Sequence, residues 1–195
     1  MIQARPFQDD MLNEARAKLR ALIRRILFQA PTGSGKTILA AIMLGNSASK
    51  GLRSWFVVHR KELLRQSSSR FRDAGVPHSF IASNEYYDKR AMVHICGVQT
   101  LVRRLDRVEK PDIIIWDECH HAAATSWSKI MAQYPDTIHI GLSATPERLD
   151  GKGLDKYFDY IIKGPTVEWL IEHGYLSPYK IYAPNPVSME GVATS

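Results

Sequence analysis

Residues 30–37 read Ala30-Pro31-Thr32-Gly33-Ser34-Gly35-Lys36-Thr37, set between the apolar run Ile26-Leu27-Phe28 and the segment Thr37-Ile38-Leu39-Ala40-Ala41-Ile42-Met43-Leu44. A short apolar run followed by a longer apolar stretch predicts a strand, a tight turn and a helix. Gly33 and Gly35 let backbone N–H groups curl around an anion without interference from a Cβ, and the helix offers its unsatisfied N-terminal amides and the positive end of its dipole. The residue types suit a nucleoside triphosphate. Thr32, Gly33, Ser34 and Gly35 supply the cradle, Lys36 reaches the β- and γ-phosphates as a mobile charge, and the Thr37 hydroxyl is placed to ligate Mg2+. Ala30 stands where the common pattern has its first glycine.

A second motif lies downstream, in Ile113-Ile114-Ile115-Trp116-Asp117-Glu118-Cys119-His120, introduced by Pro111-Asp112. The apolar run predicts a buried parallel strand with both carboxylates at its C-terminal tip, the edge at which open α/β sheets bind ligands. There Asp117 would hold Mg2+ and Glu118 would polarise the water that attacks the γ-phosphate. Two acids after a strand also serve as a helix cap, but beside a phosphate loop the catalytic reading is preferred.

Candidate strands at 26–30, 54–58, 78–82, 93–97, 112–116 and 137–142 alternate with helical stretches beginning near 10, 37, 60, 98, 122 and 166. That alternation predicts an α/β fold in which a mostly parallel sheet is covered on both faces. Asn84–Arg90 and Leu149–Gly153 read as loops.

Asp-Glu-Cys-His has the Asp-Glu-x-His form of superfamily 2 helicases and translocases, and other stretches resemble that family's motifs in the expected order. The run from Ser143 to Leu154 is most similar to the branch that includes restriction-enzyme motor subunits and phage or repair helicases. The resemblance implies a RecA-like fold, use of ATP with Mg2+, and coupling of hydrolysis to nucleic-acid unwinding or translocation. Arg5-Pro6-Phe7-Gln8 resembles the upstream motif whose Gln hydrogen-bonds the adenine edge, which assigns Gln8, with Arg5, to the nucleotide. Val57–Leu64 resembles motif Ia, so Arg60 and Lys61 are expected to contact nucleic-acid phosphates; Arg65, Arg70 and Arg72 read as an ordinary solvated face. Gly97–Leu101 resembles the next motif, often written with Thr where this chain has Gly97. Gln99 and Thr100 are candidates for contacts to nucleic-acid phosphates, or for a plain helix cap. Ser143-Ala144-Thr145-Pro146 matches motif III, which implies that Ser143 and Thr145, with His120 of the box, couple the ATP site to the nucleic-acid groove. Without the family, Ser143 and Thr145 read as a turn with local hydroxyl-to-backbone bonds.

The resemblance covers essentially the whole chain: residues 1–183 as the ATP-binding domain and 184–195 as the start of a linker to a second RecA-like domain. The family's second domain carries a Gln-x-x-Gly-Arg-x-x-Arg segment with the arginine finger, and these residues contain none. Such a finger is worth roughly 10³ to 10⁵ in rate, so little turnover is expected from this chain alone. DNA is the favoured polymer. An RNA helicase domain and a stand-alone nucleotide- or nucleic-acid-binding module without turnover remain as alternatives, since phosphate-directed motifs carry no base information.

Composition agrees with this reading. The 195 residues carry 26 Lys and Arg against 20 Asp and Glu, a net +6 that favours polyanionic partners. Two cysteines, Cys96 and Cys119, argue against a disulfide framework and suit a reducing, cytoplasmic setting. No apolar stretch has the length a bilayer requires, and no signal segment is read at the start.

Overall fold

The computed structural model describes residues 3–119, 124–145, 154 and 156–178. In chain order the elements are α1 (Pro6–Arg20), β1 (Arg25–Gln29), α2 (Lys36–Ala48), β2 (Ser54–Val58), α3 (Lys61–Asp73), β3 (Ser79–Ile81), β4 (Val93–Gly97), α4 (Val98–Arg103), β5 (Ile113–Trp116), α5 (Ala124–Gln133), β6 (Ile138–Ser143), β7 (Tyr160–Lys163) and α6 (Val167–Glu172). The seven strands form one sheet in the order β3-β4-β2-β5-β6-β1-β7. Every pairing in it is parallel.

The continuous apolar runs read as strands because side chains on alternate residues enter two different cores. Ile26, Phe28, Phe56, Val58, Ile113, Ile115, Ile140 and Leu142 face one layer with Phe7, Met11, Leu44, Phe71 and Leu170 from α1, α2, α3 and α6. Leu27, Trp55, Val57, Ile114 and Trp116 face the other, with Leu101 of α4 and Trp127, Ile130 and Met131 of α5. Gly141 of β6 leaves room for this second layer: a Cβ there would lie against Phe158 and 2.9 Å from Leu27 Cδ1.

Parallel pairing brings the C-terminal tips of β1, β2, β4, β5 and β6 to a single edge of the sheet. The expected α/β architecture and its six strands are therefore present. One boundary and one element differ. The first helix starts at Pro6 rather than near residue 10, because Pro fits the first helical position, where an N–H would lack a partner anyway. β7 was not anticipated from sequence. It has four residues at the sheet margin, with only Ile162 fully buried, so no window shows a strand period strong enough to mark it. The Leu149–Gly153 loop, His120 and the stretch 179–195, including the expected linker, lie outside the described residues.

Candidate nucleotide site and nucleic-acid interface

The phosphate loop leaves the tip of β1 and enters α2 as its residue types dictate. Gly33 and Gly35 adopt φ values of +83° and +89°, in the left-handed region that favours glycine, and Gly35 caps α2. The Ser34 N–H donates to the Pro31 carbonyl at 3.2 Å, closing the turn. Thr32 and Gly33 are exposed on its rim, Ser34 is buried, and Thr37 sits half-buried in the first turn of the helix. Lys36 is folded inward. Its Nζ donates to the carbonyls of Ala30 at 3.1 Å and Pro31 at 3.3 Å and lies 3.7 Å from Glu118 Oε1. Position 30, where the pattern departs from glycine, thus contributes through its carbonyl, which Ala supplies as well as Gly.

Asp117 and Glu118 follow directly after the fully buried β5, as expected. Asp117 is tied to the sheet by its N–H, which donates to the Val57 carbonyl at 2.9 Å. Burial pushes the Asp117 carboxyl up to about 6, the Glu118 charge adds to the shift, and Lys36 opposes it. Glu118 has φ of +45°, a left-handed conformation uncommon for a residue with a Cβ, and such backbone strain concentrates at functional sites. Cys119 is buried, and desolvation raises its thiol well above the ordinary range while a hydrogen bond with Ser143 works the other way. That bond joins the carboxylate box to the tip of β6. Ser143 also donates to the Thr145 carbonyl and accepts from the Thr145 N–H at 3.1 Å, the local turn that its residue types allow, while its own carbonyl accepts from Ala30 N at 2.9 Å. Phosphate loop, acidic box and Ser143 form one connected unit.

Gln8 is buried on α1 and is not a surface residue. Its Nε2 donates to the carbonyls of Ser34 at 3.1 Å and Gly35 at 3.4 Å, and its Oε1 accepts from the Arg5 N–H at 3.0 Å. A Cβ on Gly35 would stand 2.7 Å from Gln8 Nε2, a second reason for glycine there. The Gln8 amide therefore clamps the loop from behind. Arg5 is half-buried, with its Nη1 buried and without a hydrogen-bond partner.

The four residues assigned to nucleic acid also come together. Arg60 and Lys61 begin α3 after β2, Gln99 and Thr100 lie in the first turn of α4 after β4, and all four line one hollow of about 210 Å3 with His59, Ser83 and Gly97. Arg60, Lys61 and Gln99 are exposed and Thr100 is half-buried. The hollow presents two cations, a hydroxyl and an amide at one edge, the donor set that grips a phosphate backbone.

The loop, the orphaned Ser34 Oγ, the inward Lys36 and the facing carboxylates fit a nucleotide carried with Mg2+. Thr37 and Asp117 are the residues suited to hold the metal. Sequence reading missed the carbonyls of Ala30 and Pro31, the Cys119–Ser143 link, and the contact of Leu176 with the loop, where a Cβ on Gly33 would meet Leu176 Cδ2 at 2.7 Å. The two carbonyls lie within the loop motif but are main-chain groups that no residue type marks, whereas the Cys119 and Leu176 contacts depend on residues joined only by folding.

Fold and motif set together define the first RecA-like domain of a superfamily 2 helicase or translocase. The chain belongs to the family described as type III restriction enzyme, res subunit, whose model matches residues 1–148. It is 38% identical over 157 residues to a 51.5 kDa protein of Lactococcus phage (isolate 7-9), covering 80% of this chain and 32% of that protein. It is 27% identical over 195 residues to the putative ATP-dependent helicase IRC3 of Saccharomyces cerevisiae, covering 90% and 28%. The chain thus spans about a third of the length of these relatives. Among solved structures, the UvsW helicase from bacteriophage T4 superposes with a TM-score of 0.66 at 23% identity, over 83% of this chain and 60% of that one. The type ISP restriction-modification enzyme LlaGI superposes with a TM-score of 0.70 at 14% identity, over 89% and 21%. These two likenesses concern the fold. Among the described residues no helix is long and apolar enough to cross a membrane.

Proposed function

We propose that this chain is the ATP-binding half of a nucleic-acid motor, which binds ATP with Mg2+ at the β1–β5 edge and a DNA backbone at the neighbouring β2–β4 edge. The observation that carries the reading is the approach of Lys36 to Glu118, 3.7 Å apart across the mouth of a glycine loop, with Ser143 bridging that pair's elements through Ala30 and Cys119. Mg2+, when bound, neutralises phosphate charge and polarises the γ-phosphoryl group. The chain's own residues do the rest. Loop amides and Lys36 bind the phosphates, Thr37 and Asp117 would hold the metal, Glu118 accepts a proton from the attacking water, and Gln8, giving up its bonds to the loop, meets the base with Arg5.

Support for a nucleic-acid groove comes from the hollow lined by Arg60, Lys61, Gln99 and Thr100, which lies one strand from the acidic box. DNA is favoured over RNA because the LlaGI structure is of a complex with a DNA substrate mimic, and that of a Sulfolobus solfataricus SWI2/SNF2 ATPase core is of a complex with dsDNA. Ser143, Thr145 and His120 are proposed to couple the two sites, with a second RecA-like domain closing the cleft. The buried free thiols Cys96 and Cys119 suit a reducing, cytoplasmic setting.

Calorimetric titration with Mg-ADP tests the core of this reading. The chain is expected to bind, and Lys36→Ala is expected to abolish binding while leaving the circular dichroism spectrum intact. Equal affinity in the two proteins would remove the loop from the nucleotide site.

A further inference from the structure

Beyond the family's motifs, a second set of residues reaches the nucleotide loop from the far end of the described chain. α6 ends at Glu172, and Gly174, at φ of +71°, reverses the backbone so that Tyr175 and Leu176 return over the sheet. Their N–H groups both donate to the Leu170 carbonyl, at 2.7 and 3.0 Å, which pins the turn. The Tyr175 ring is held on two sides: edge-on to Phe7 at 5.2 Å between centroids, and stacked on Trp169 at 5.9 Å with an interplanar angle of 15°. On it lies Arg5, with Cζ 5.1 Å from the ring centroid. Arg5 is in turn bonded through its N–H to Gln8, which holds Ser34 and Gly35.

We propose that Tyr175 is a positioning residue for base recognition: it fixes the Arg5 guanidinium so that a purine stacks against it and meets the unpartnered Nη1. The proposal rests on the nucleotide reading above and extends it to a residue outside the span matched by the family model. The physical case has three parts. A guanidinium over an aromatic face is restrained in plane and tilt without consuming its N–H donors, unlike one fixed by a carboxylate. A buried Nη1 lacking a partner is a costly arrangement unless a ligand acceptor completes it. The Tyr175 ring is itself immobilised by Phe7 and Trp169, so orientation passes to Arg5 from a rigid support. Leu176, touching Gly33 from the same turn, keeps that support in register with the phosphate loop.

Two ligands separate a role toward the base from a role toward the phosphates: Mg-ADP and Mg-tripolyphosphate, each titrated into the full 195-residue chain. Tyr175→Leu is expected to weaken ADP by roughly three- to tenfold and to leave tripolyphosphate affinity unchanged. Tyr175→Phe, which keeps the ring and drops only the hydroxyl, is expected to restore ADP affinity. If Tyr175→Leu does not fold, Tyr175→His at pH 8 replaces it, with the same selective loss expected. An equal loss for both ligands, no loss for ADP, or failure of Tyr175→Phe to restore it overturns the positioning role. If the unsubstituted chain binds neither ligand, the nucleotide reading itself falls, and this one with it.

Discussion

Asp117→Asn is expected to make the metal-free chain more stable above neutral pH while removing its affinity for nucleotide carried with Mg2+. In the folded chain Asp117 holds its proton up to about pH 6, against an ordinary value of 3.8. A raised carboxylate contributes stability that is present in full below pH 3.8 and is lost as pH rises through 6, since the unfolded chain is then the easier place to carry the charge. The difference between 3.8 and about 6 corresponds to about 3 kcal/mol at most. Asp117 is half-buried, so water relieves part of this and about 1–3 kcal/mol is the working range. Asn cannot ionise, keeps an acceptor oxygen, and so recovers that range at pH 8. For a chain of this size that is a rise of roughly 3–10 °C in Tm. The assay is thermal denaturation by circular dichroism in EDTA, for both proteins, from pH 8 down to pH 4.5. His139 works in the opposite sense: it is buried and its pKa falls to about 4 from 6.5, so its contribution is present above pH 6.5 and is lost toward pH 4. His139 is common to both proteins and cancels in their difference. The gain from Asp117→Asn should therefore shrink steadily as pH falls. A difference in Tm independent of pH, or a loss of stability at pH 8, would refute the reasoning.

Glu118→Gln, placed in a longer protein that includes the second RecA-like domain, is expected to bind ATP normally and to lose turnover by at least two orders of magnitude, as removal of a general base does; single-turnover hydrolysis at the unsubstituted rate would take Glu118 out of that role. Arg60→Ala combined with Lys61→Ala should weaken binding to a fluorescent DNA and lower the slope of log K against log salt by about 1.5, since each lost phosphate contact removes about 0.7–0.9; an unchanged slope in anisotropy titrations would exclude the hollow at α3 and α4 as the contact surface. Gly141→Ala forces a methyl group against Phe158 and Leu27 Cδ1 and should cost about 1–3 kcal/mol of stability, read as a lower urea midpoint with the slope unchanged.

How much of this was legible beforehand depended on how local each feature is. The β1–loop–α2 unit and the acidic tip of β5 were both readable, because glycine conformations, apolar runs and the residues that end them act within a few positions of one another. The four nucleic-acid candidates were readable singly, each at a strand-to-helix junction, but nothing in their spacing said that 60–61 and 99–100 share one hollow. That follows from β2 and β4 being hydrogen-bonded neighbours although more than thirty residues separate them in the chain. Gln8 was legible as a type and not as a contact, since the bond from its side chain to Ser34 spans 26 residues.

By itself, then, the amino-acid order determined that a glycine loop, two carboxylates, the basic pair Arg60-Lys61 and the polar pair Gln99-Thr100 would each stand at the end of a buried parallel strand. Period and residue type are short-range properties, and they suffice for that. Only the tertiary structure decided that Lys36 faces Glu118, that Cys119 meets Ser143, that Asp117 keeps its proton to about pH 6, and that Tyr175 stands under Arg5. Those are consequences of desolvation and of long-range packing. They come into being when distant segments exclude water from the same space, and no window of sequence contains both partners.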